Sequence, residues 1–308
     1  MKSEENFEFV RCNLCDSNFS TILFKGKDMI SKTEGVFTVV KCNNCGLIYI
    51  NPRPGQNIIF NYYPDEYWNI EEDNHINMEM KLKKFVHRFI NKIYYKINIP
   101  NLNQNCNKVL DIGCGDGKGL FKLKEDGWET YGVEISPLAA ERAHEKYGLN
   151  IFTGIVEDAQ YEDEFFDLII LNHVLEHLSD PKTTLIEINR ILKNEGKLII
   201  SIPNVNSFEA KHFKKYWTAW ELPRHLYHFT PFTIKSLLDK TGFEVLKIEY
   251  DNNPNNILSS FKYVFEGYRI NPIPGLIIFF PFANLASLIL GKTKRSYNMV
   301  LYSKKKII

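Results

Sequence analysis

The stretch Lys108-Val-Leu-Asp-Ile-Gly-Cys-Gly-Asp-Gly117 limits what this chain can fold into more than any other segment. Val109 to Ile112 is a short apolar run suited to a buried strand, and Gly113, Gly115 and Gly117 follow it at alternate positions. A helix is expected to begin over Leu120 to Glu125. A strand that turns through a loop without side-chain bulk into a helix lets the backbone approach a ligand at the helix N-terminus. This is the opening unit of a doubly wound α/β fold. The glycines alone do not identify the ligand, because dinucleotide-binding folds share them. The next expected strand ends at Glu134, an acid placed to accept both hydroxyls of a ribose. Asp111 precedes the first glycine, where a carboxylate repels a pyrophosphate and suits an ammonium.

Two CxxC pairs supply the second constraint. Cys12-Asn-Leu-Cys15 and Cys42-Asn-Asn-Cys45 lie either side of an expected strand, Val36 to Lys41. Each turn aims two thiolates at one ion, and two such turns close the tetrahedron that Zn²⁺ prefers. Gly46 permits the positive φ that follows a second knuckle. Four protein ligands leave no open position, so the zinc is expected to be structural. Met1 to Phe9 carries no apolar targeting region, and the 6 cysteines then suit a reducing compartment, the cytoplasm. The net charge is +1, and residues 1–70 hold seven Lys/Arg against eight Asp/Glu, a poor balance for tracking phosphates. Nucleic acid is therefore not the expected partner.

Asn51-Pro-Arg-Pro-Gly55 is a turn-rich break. The expected organisation is a zinc ribbon over residues 1–66, a helical connector over 67–105, and the main domain over 106–308 with a helical insert at about 251–296. Tyr62, Tyr63, Tyr67 and Trp68 form an aromatic cluster, either packing between modules or part of a substrate wall. Leu82 to Ile97 has amphipathic helical spacing, with Lys81, Lys83, Lys84, Arg88, Lys92 and Lys96 on its polar side. That face is solvated, or meets a phosphate-bearing substrate or a membrane surface. Thr230 to Thr241 is an expected helix, Phe243 to Tyr250 a strand, and Asn298 to Ser303 a final antiparallel edge strand. Ile273 to Leu290 is strongly apolar, but Pro274, Gly275 and Pro281 break it too often for a bilayer span. It is expected to cover the acceptor site, with a lipid contact beside Lys292, Lys294 and Arg295 as the alternative.

Asp111, Gly113, Gly115 and Gly117 match the first motif of the class I S-adenosylmethionine-dependent methyltransferases, and Glu134 matches their ribose acid. Phe166 to Ile170 resembles the family's fourth strand, Asn172 to Leu178 the segment beside the cofactor's methionine end, and Arg190 to Asn204 the helix, turn and fifth strand that follow. The resemblance covers about residues 105 to 250. It implies a seven-stranded Rossmann-like sheet and S-adenosyl-L-methionine as cofactor. The implied cofactor set is Asp111, Gly113, Cys114, Gly115, Gly117, Glu134, Ile135, Ile155, Val156, Glu157, Asn172 and His173. The chain departs from the family at one point. Many members place Asp after the glycine that follows the third strand, for the adenine amine, whereas Gly154 is followed here by Ile155. Adenine recognition is then expected from backbone near Val156 and Glu157 and apolar contact with Ile155, with Glu157 or Asp158 compensating. The four cysteines, Cys45 to Pro54 and Tyr62-Tyr63 also resemble the subgroup in which a zinc module precedes the core, as in sugar C-methyltransferases and glycan-cluster methyltransferases. That likeness implies a sugar-type small-molecule acceptor, nucleotide-linked or lipid-linked.

Transfer from a sulfonium is an in-line displacement that needs alignment, while an alcohol or carbon acid must also lose a proton, commonly to histidine. Tyr216 to Thr230 follows the fifth strand and is dense in Trp, Arg and His. Its aromatics can stack on a sugar, Arg224 can grip a phosphate, and His225 or His228 can move protons. Resemblance to the zinc-bearing sugar enzymes implies His225 as the base, with His228 second and His177 third. His173 and His177, four apart on one helical face, suggest a metal pair, but with Glu176 between them they are expected to pack beside the cofactor. An RNA methyltransferase and a non-catalytic, cofactor-holding zinc protein are the rival readings.

Overall fold

The structure, a computed structural model, describes residues 6–63, 107–251, 255–267 and 292–306, with isolated positions at 282, 286, 289 and 290. The connector over 67–105, with Tyr67, Trp68 and the basic face, lies outside the described residues, as does most of 273–290. Among the described residues no helix is long and apolar enough to cross a membrane.

The N-terminal segment forms β1 (Phe7–Glu8), β2 (Ser20–Gly26), β3 (Phe37–Cys42), β4 (Ile48–Ile50) and β5 (Arg53–Pro54). The main domain contributes β6 (Lys108–Ile112), β7 (Glu129–Glu134), β8 (Asn150–Thr153), β9 (Phe166–Asn172), β10 (Leu192–Pro203), β11 (Tyr227–His228), β12 (Phe243–Tyr250) and β13 (Asn298–Lys305). Seven of these form one sheet in the order β12-β13-β10-β9-β6-β7-β8. Strands β8, β7, β6, β9 and β10 run parallel, and β13 is antiparallel to both β10 and β12. The strand order reverses beside β6, the point where open α/β sheets leave a crevice for ligand. Strand β9, Phe-Asp-Leu-Ile-Ile-Leu-Asn, is almost continuously apolar because a parallel sheet is covered on both faces.

The helices start where the sequence places caps. Ser136 accepts from the Ala139 N–H ahead of Pro137–Tyr147, and Asp180 accepts from the Thr183 N–H ahead of Pro181–Ile191. Proline occupies the first turn of both, where its missing N–H costs nothing. Thr230 and Thr233 form a reciprocal cap for Pro231–Lys240.

The last strand corrects one expectation. Strand β13 is antiparallel, but it is not the edge; it lies between β10 and β12. Its side chains explain this, since Met299, Leu301 and Ser303 are wholly buried, whereas β12 leaves Glu244, Leu246 and Lys247 exposed. The more apolar strand takes the covered position.

The N-terminal sheet is completed by the main domain. Its order is β11-β4-β3-β2, with Tyr227 opposite Tyr49 and His228 opposite Ile48. Phe37, Val39, Ile50 and Tyr62 share one apolar core with Trp217, Trp220 and Leu222. The cysteine-bearing segment thus packs on the main domain as a continuation of its core.

Candidate active site

The cofactor end is built at the C-terminal tips of β6 and β7. Gly113, Gly115 and Gly117 have φ of +69°, +55° and +73°. A Cβ at Gly113 would come within 2.4 Å of Val174, and one at Gly117 within 2.6 Å of Leu149. At Gly115 a Cβ would meet nothing within 4 Å, so this glycine faces open space. Glu134 is buried, and its carboxylate accepts from the Gly115 N–H at 2.8 Å and the Ser136 N–H at 2.9 Å. The acid and the open glycine therefore share one wall. Cys114 turns its thiol onto β7, where a Cβ at Gly132 would sit 2.8 Å from it.

Asp111 belongs to the same pocket. Burial first, and the Glu134 charge second, push its carboxyl up to about 7. A cation placed between these acids relieves that cost, and S-adenosylmethionine carries two positive groups at its amino-acid end. Ile135 and Ile155 are 41% and 42% exposed on the loops after β7 and β8. Exposed aliphatic side chains at a pocket rim suit a flat base. Val156 is buried, leaving only its backbone for a ligand. The Glu157 carboxylate accepts from the Thr184 hydroxyl at 2.6 Å, so it turns toward Pro181–Ile191 and is committed there. Asp158 remains exposed beside it.

The acceptor end begins where β9 stops at Asn172. His173 has φ +56°, a left-handed conformation costing a non-glycine residue about 1–2 kcal/mol. Its N–H is held by the Ser201 carbonyl at 2.9 Å, and its Nδ1 lies 3.2 Å from Glu176 Oε1. Glu176 is 1% exposed. Burial acts to raise its carboxyl, but His173, His225 and His177 overcome this and hold it at about 2. His177 is pulled down to about 4, by burial first and the His225 charge second.

His225 is buried at the centre of this cluster. Its Nδ1 lies 2.9 Å from the Ala219 carbonyl, which can only accept, so Nδ1 carries a proton and Nε2 is the nitrogen turned toward the acids. That Nε2 is 3.4 Å from Glu221 Oε2 and 4.0 Å from Glu176 Oε1, and the His177 ring stands perpendicular with centroids 4.5 Å apart. The sequence does not point to Glu176 or Glu221 as the neighbours of His225. An acid inside an otherwise apolar run, Val174-Leu175-Glu176, was the available signal.

The structure places three features of the Tyr216–Thr230 segment in the interior. Arg224 is 0% exposed and donates to Asp28, Ser31, the Tyr62 carbonyl and Glu221, so it has no group left for a phosphate. Trp217 and Trp220 are core packing under β3 and not a stacking platform. His228 is buried in β11 with its ring 4.6 Å from Trp220 and its Nε2 without a partner. Burial first, then the His225 charge, hold it well below the ordinary histidine range. It stands beside His225, with ring centroids 6.4 Å apart.

The four cysteines converge as their spacing implies. Cys12 and Cys45 Sγ are 3.4 Å apart, Cys15 and Cys42 Sγ 3.5 Å, and all four fit within 4.8 Å of one another. The two knuckles are equivalent, because Asp16 (φ +58°) follows Cys15 as Gly46 (φ +80°) follows Cys45. This donor set and its closeness fit a zinc module.

A family model described as a methyltransferase domain matches residues 75–248. An uncharacterised protein of Methanocaldococcus jannaschii is 32% identical over 161 residues, 51% of this chain and 75% of the relative. Demethylmenaquinone methyltransferase of Thermotoga maritima is 29% identical over 168 residues, 47% of this chain and 73% of the relative. A solved S-adenosylmethionine-dependent methyltransferase of Thermotoga maritima aligns over 80% of this chain and 99% of its own, at 22% identity and a TM-score of 0.48. With the sheet order in place and the glycine loop against buried Glu134, the chain belongs to the class I methyltransferase-domain family and is an S-adenosylmethionine-dependent methyltransferase.

Proposed function

We propose that the enzyme methylates an oxygen or carbon of a sugar-type small molecule, nucleotide-linked or lipid-linked, in the cytoplasm, with His225 as the proton acceptor and a structural zinc on Cys12, Cys15, Cys42 and Cys45. The observation that carries this reading is the His225 ring, fixed at Nδ1 by the Ala219 carbonyl with Nε2 turned toward Glu221 and Glu176. It lies on the same edge of the sheet as Gly115 and Glu134, because β6 and β9 are parallel and both end there.

Bound S-adenosylmethionine supplies a methyl on a positively charged sulfur. Gly115 would leave room for it, Glu134 would offer oxygens to its ribose, and Asp111 would hold its positive end. Ile135 and Ile155 would flank the adenine, with Asp158 or nearby backbone on its amine. Asn172 and His173, at the tip of β9, would border the methionine end. On the acceptor side His225 Nε2 takes the proton that a hydroxyl or acidic carbon gives up. Glu221 and Glu176 then balance the imidazolium across 3.4 Å and 4.0 Å. Such a concentration of hydrogen-bonding side chains favours a hydroxyl-rich acceptor over a quinone such as the one named for the Thermotoga maritima relative. A zinc on four thiolates holds the two knuckles together and takes no part in the transfer.

The test is release of S-adenosylhomocysteine across separate pools of nucleotide sugars, lipid-linked glycans, quinones and RNA. Turnover is expected in a sugar pool, and His225→Ala should lower it by about 100-fold or more with cofactor affinity unchanged. Near-normal turnover in that variant removes His225 as the base, and activity confined to RNA or quinones contradicts the acceptor class.

A further inference from the structure

The acceptor cluster holds more ligating groups than proton abstraction needs. Glu176, His177 and His225 each bring one ligand atom to a common point, all within 4.8 Å of one another. Two imidazoles and one carboxylate form a donor set that suits borderline divalent first-row ions. The rings are oriented as metal-bound imidazoles are, each by a carbonyl at Nδ1. His225 meets the Ala219 carbonyl at 2.9 Å, and His177 meets the Arg224 carbonyl at 3.1 Å beside the Tyr63 hydroxyl at 3.0 Å. An independent observation points to a ligand. Glu176 is 1% exposed, and its Oε2 has no hydrogen-bond partner. A carboxylate oxygen left unpaired in the interior is costly unless something else satisfies it. Glu221 Oε2, 3.4 Å from His225 Nε2, brings a second carboxylate to the cluster, so two carboxylates face the two imidazoles, a grouping that suits a dication. Half-buried His173 and His177 border the cluster and leave an approach to it.

We infer that Glu176, His177 and His225 form a second metal site, separate from the four cysteines, for one divalent transition-metal ion. The inference rests on the proposed function in a single respect: the His225 Nε2 lone pair that would accept the acceptor's proton is the one that would bind the ion. Metal and proton abstraction therefore exclude each other, and occupancy of the site switches turnover off.

Cobalt(II) titration of the full chain, followed by visible absorption and calorimetry, tests this without any acceptor. One equivalent is expected to bind with ligand-field bands and without the charge-transfer band that thiolate-bound cobalt shows. Glu176→Gln and His177→Gln should each weaken that equivalent at least tenfold, with melting temperature and zinc content confirming that the variants are folded. No such equivalent, one that carries the thiolate band, or one that survives both substitutions overturns the site. Loss of turnover in His225→Ala bears on the base alone, so the two readings fail separately.

Discussion

At the cofactor end, the groups that shape the pocket come from a short length of chain: Asp111, Gly113 to Gly117, Glu134 and the loop at Gly154 to Asp158. At the acceptor end, His225 is held by Ala219 and Glu221 from its own segment and faces Glu176 from the tip of β9. Behind Glu221, Arg224 reaches Asp28 and Tyr62 of the N-terminal segment. The first end is local and open, whereas the second is assembled over long sequence separations and largely buried. A cofactor common to many enzymes is held by a self-contained motif. On the proposed function, the acceptor end is the individual one, and it is braced through Arg224 by Asp28 and Tyr62 of the cysteine-bearing segment.

Asp28→Ala should separate the two ends most strongly. It leaves Arg224 buried with Glu221 as its one remaining carboxylate, and breaking such a pair costs roughly 3–5 kcal/mol. Thermal denaturation should show that loss while cofactor affinity at the far end stays within about twofold. An equal fall in cofactor affinity would mean the ends are not independent.

Glu134→Ala attacks the local end. Losing a charged acceptor for the ribose should weaken S-adenosylhomocysteine binding by about 1.5–3 kcal/mol, tenfold or more. Unchanged affinity in calorimetry would refute the ribose role. Gly115→Ala is milder and more specific. Its Cβ meets no protein atom within 4 Å, so the fold pays only for φ +55°, about 1–2 kcal/mol, while the methyl intrudes on ligand space. Gly117→Ala, with Leu149 at 2.6 Å, should lose more stability than Gly115→Ala. The reverse order would mean that Gly115 does not face the ligand.

The smallest effect is in pH. Asp111 is held up to about 7 by burial and then by Glu134. A neighbouring cation favours the ionised form, so binding releases a proton below that pH and affinity should rise from about pH 5 to about pH 8. The same raised value makes the folded chain keep a proton that the unfolded chain has lost, so cofactor-free stability falls between the ordinary carboxyl range and about 7. Calorimetry across this range with Asp111→Asn as control checks the assignment, since the variant should show a flat profile.

The same contrast decides how much the sequence reveals. Gly113, Gly115, Gly117 and Glu134 are legible because each is required by local backbone geometry or by the end of one strand. The convergence of the four cysteines is legible because two CxxC turns of matching spacing can bring their thiols to one point. Arg224 is misread as a phosphate grip because its partner, Asp28, is distant in the chain and nothing local announces their pairing. Trp217 and Trp220 are misread as a platform because an aromatic cluster looks alike whether it lines a cleft or a core. The position of β13 follows from competition between two strands for the covered site, which neither strand shows alone. Glu157 is drawn away by Thr184, a partner on another element.

The most direct test is calorimetric titration of the purified, reduced chain with S-adenosylmethionine and with its demethylated product at about pH 8, above the Asp111 transition. One site per chain for both ligands is the predicted result. Absence of binding by either would contradict a pocket made by Asp111, Gly115 and Glu134, and with it the account of what this chain does.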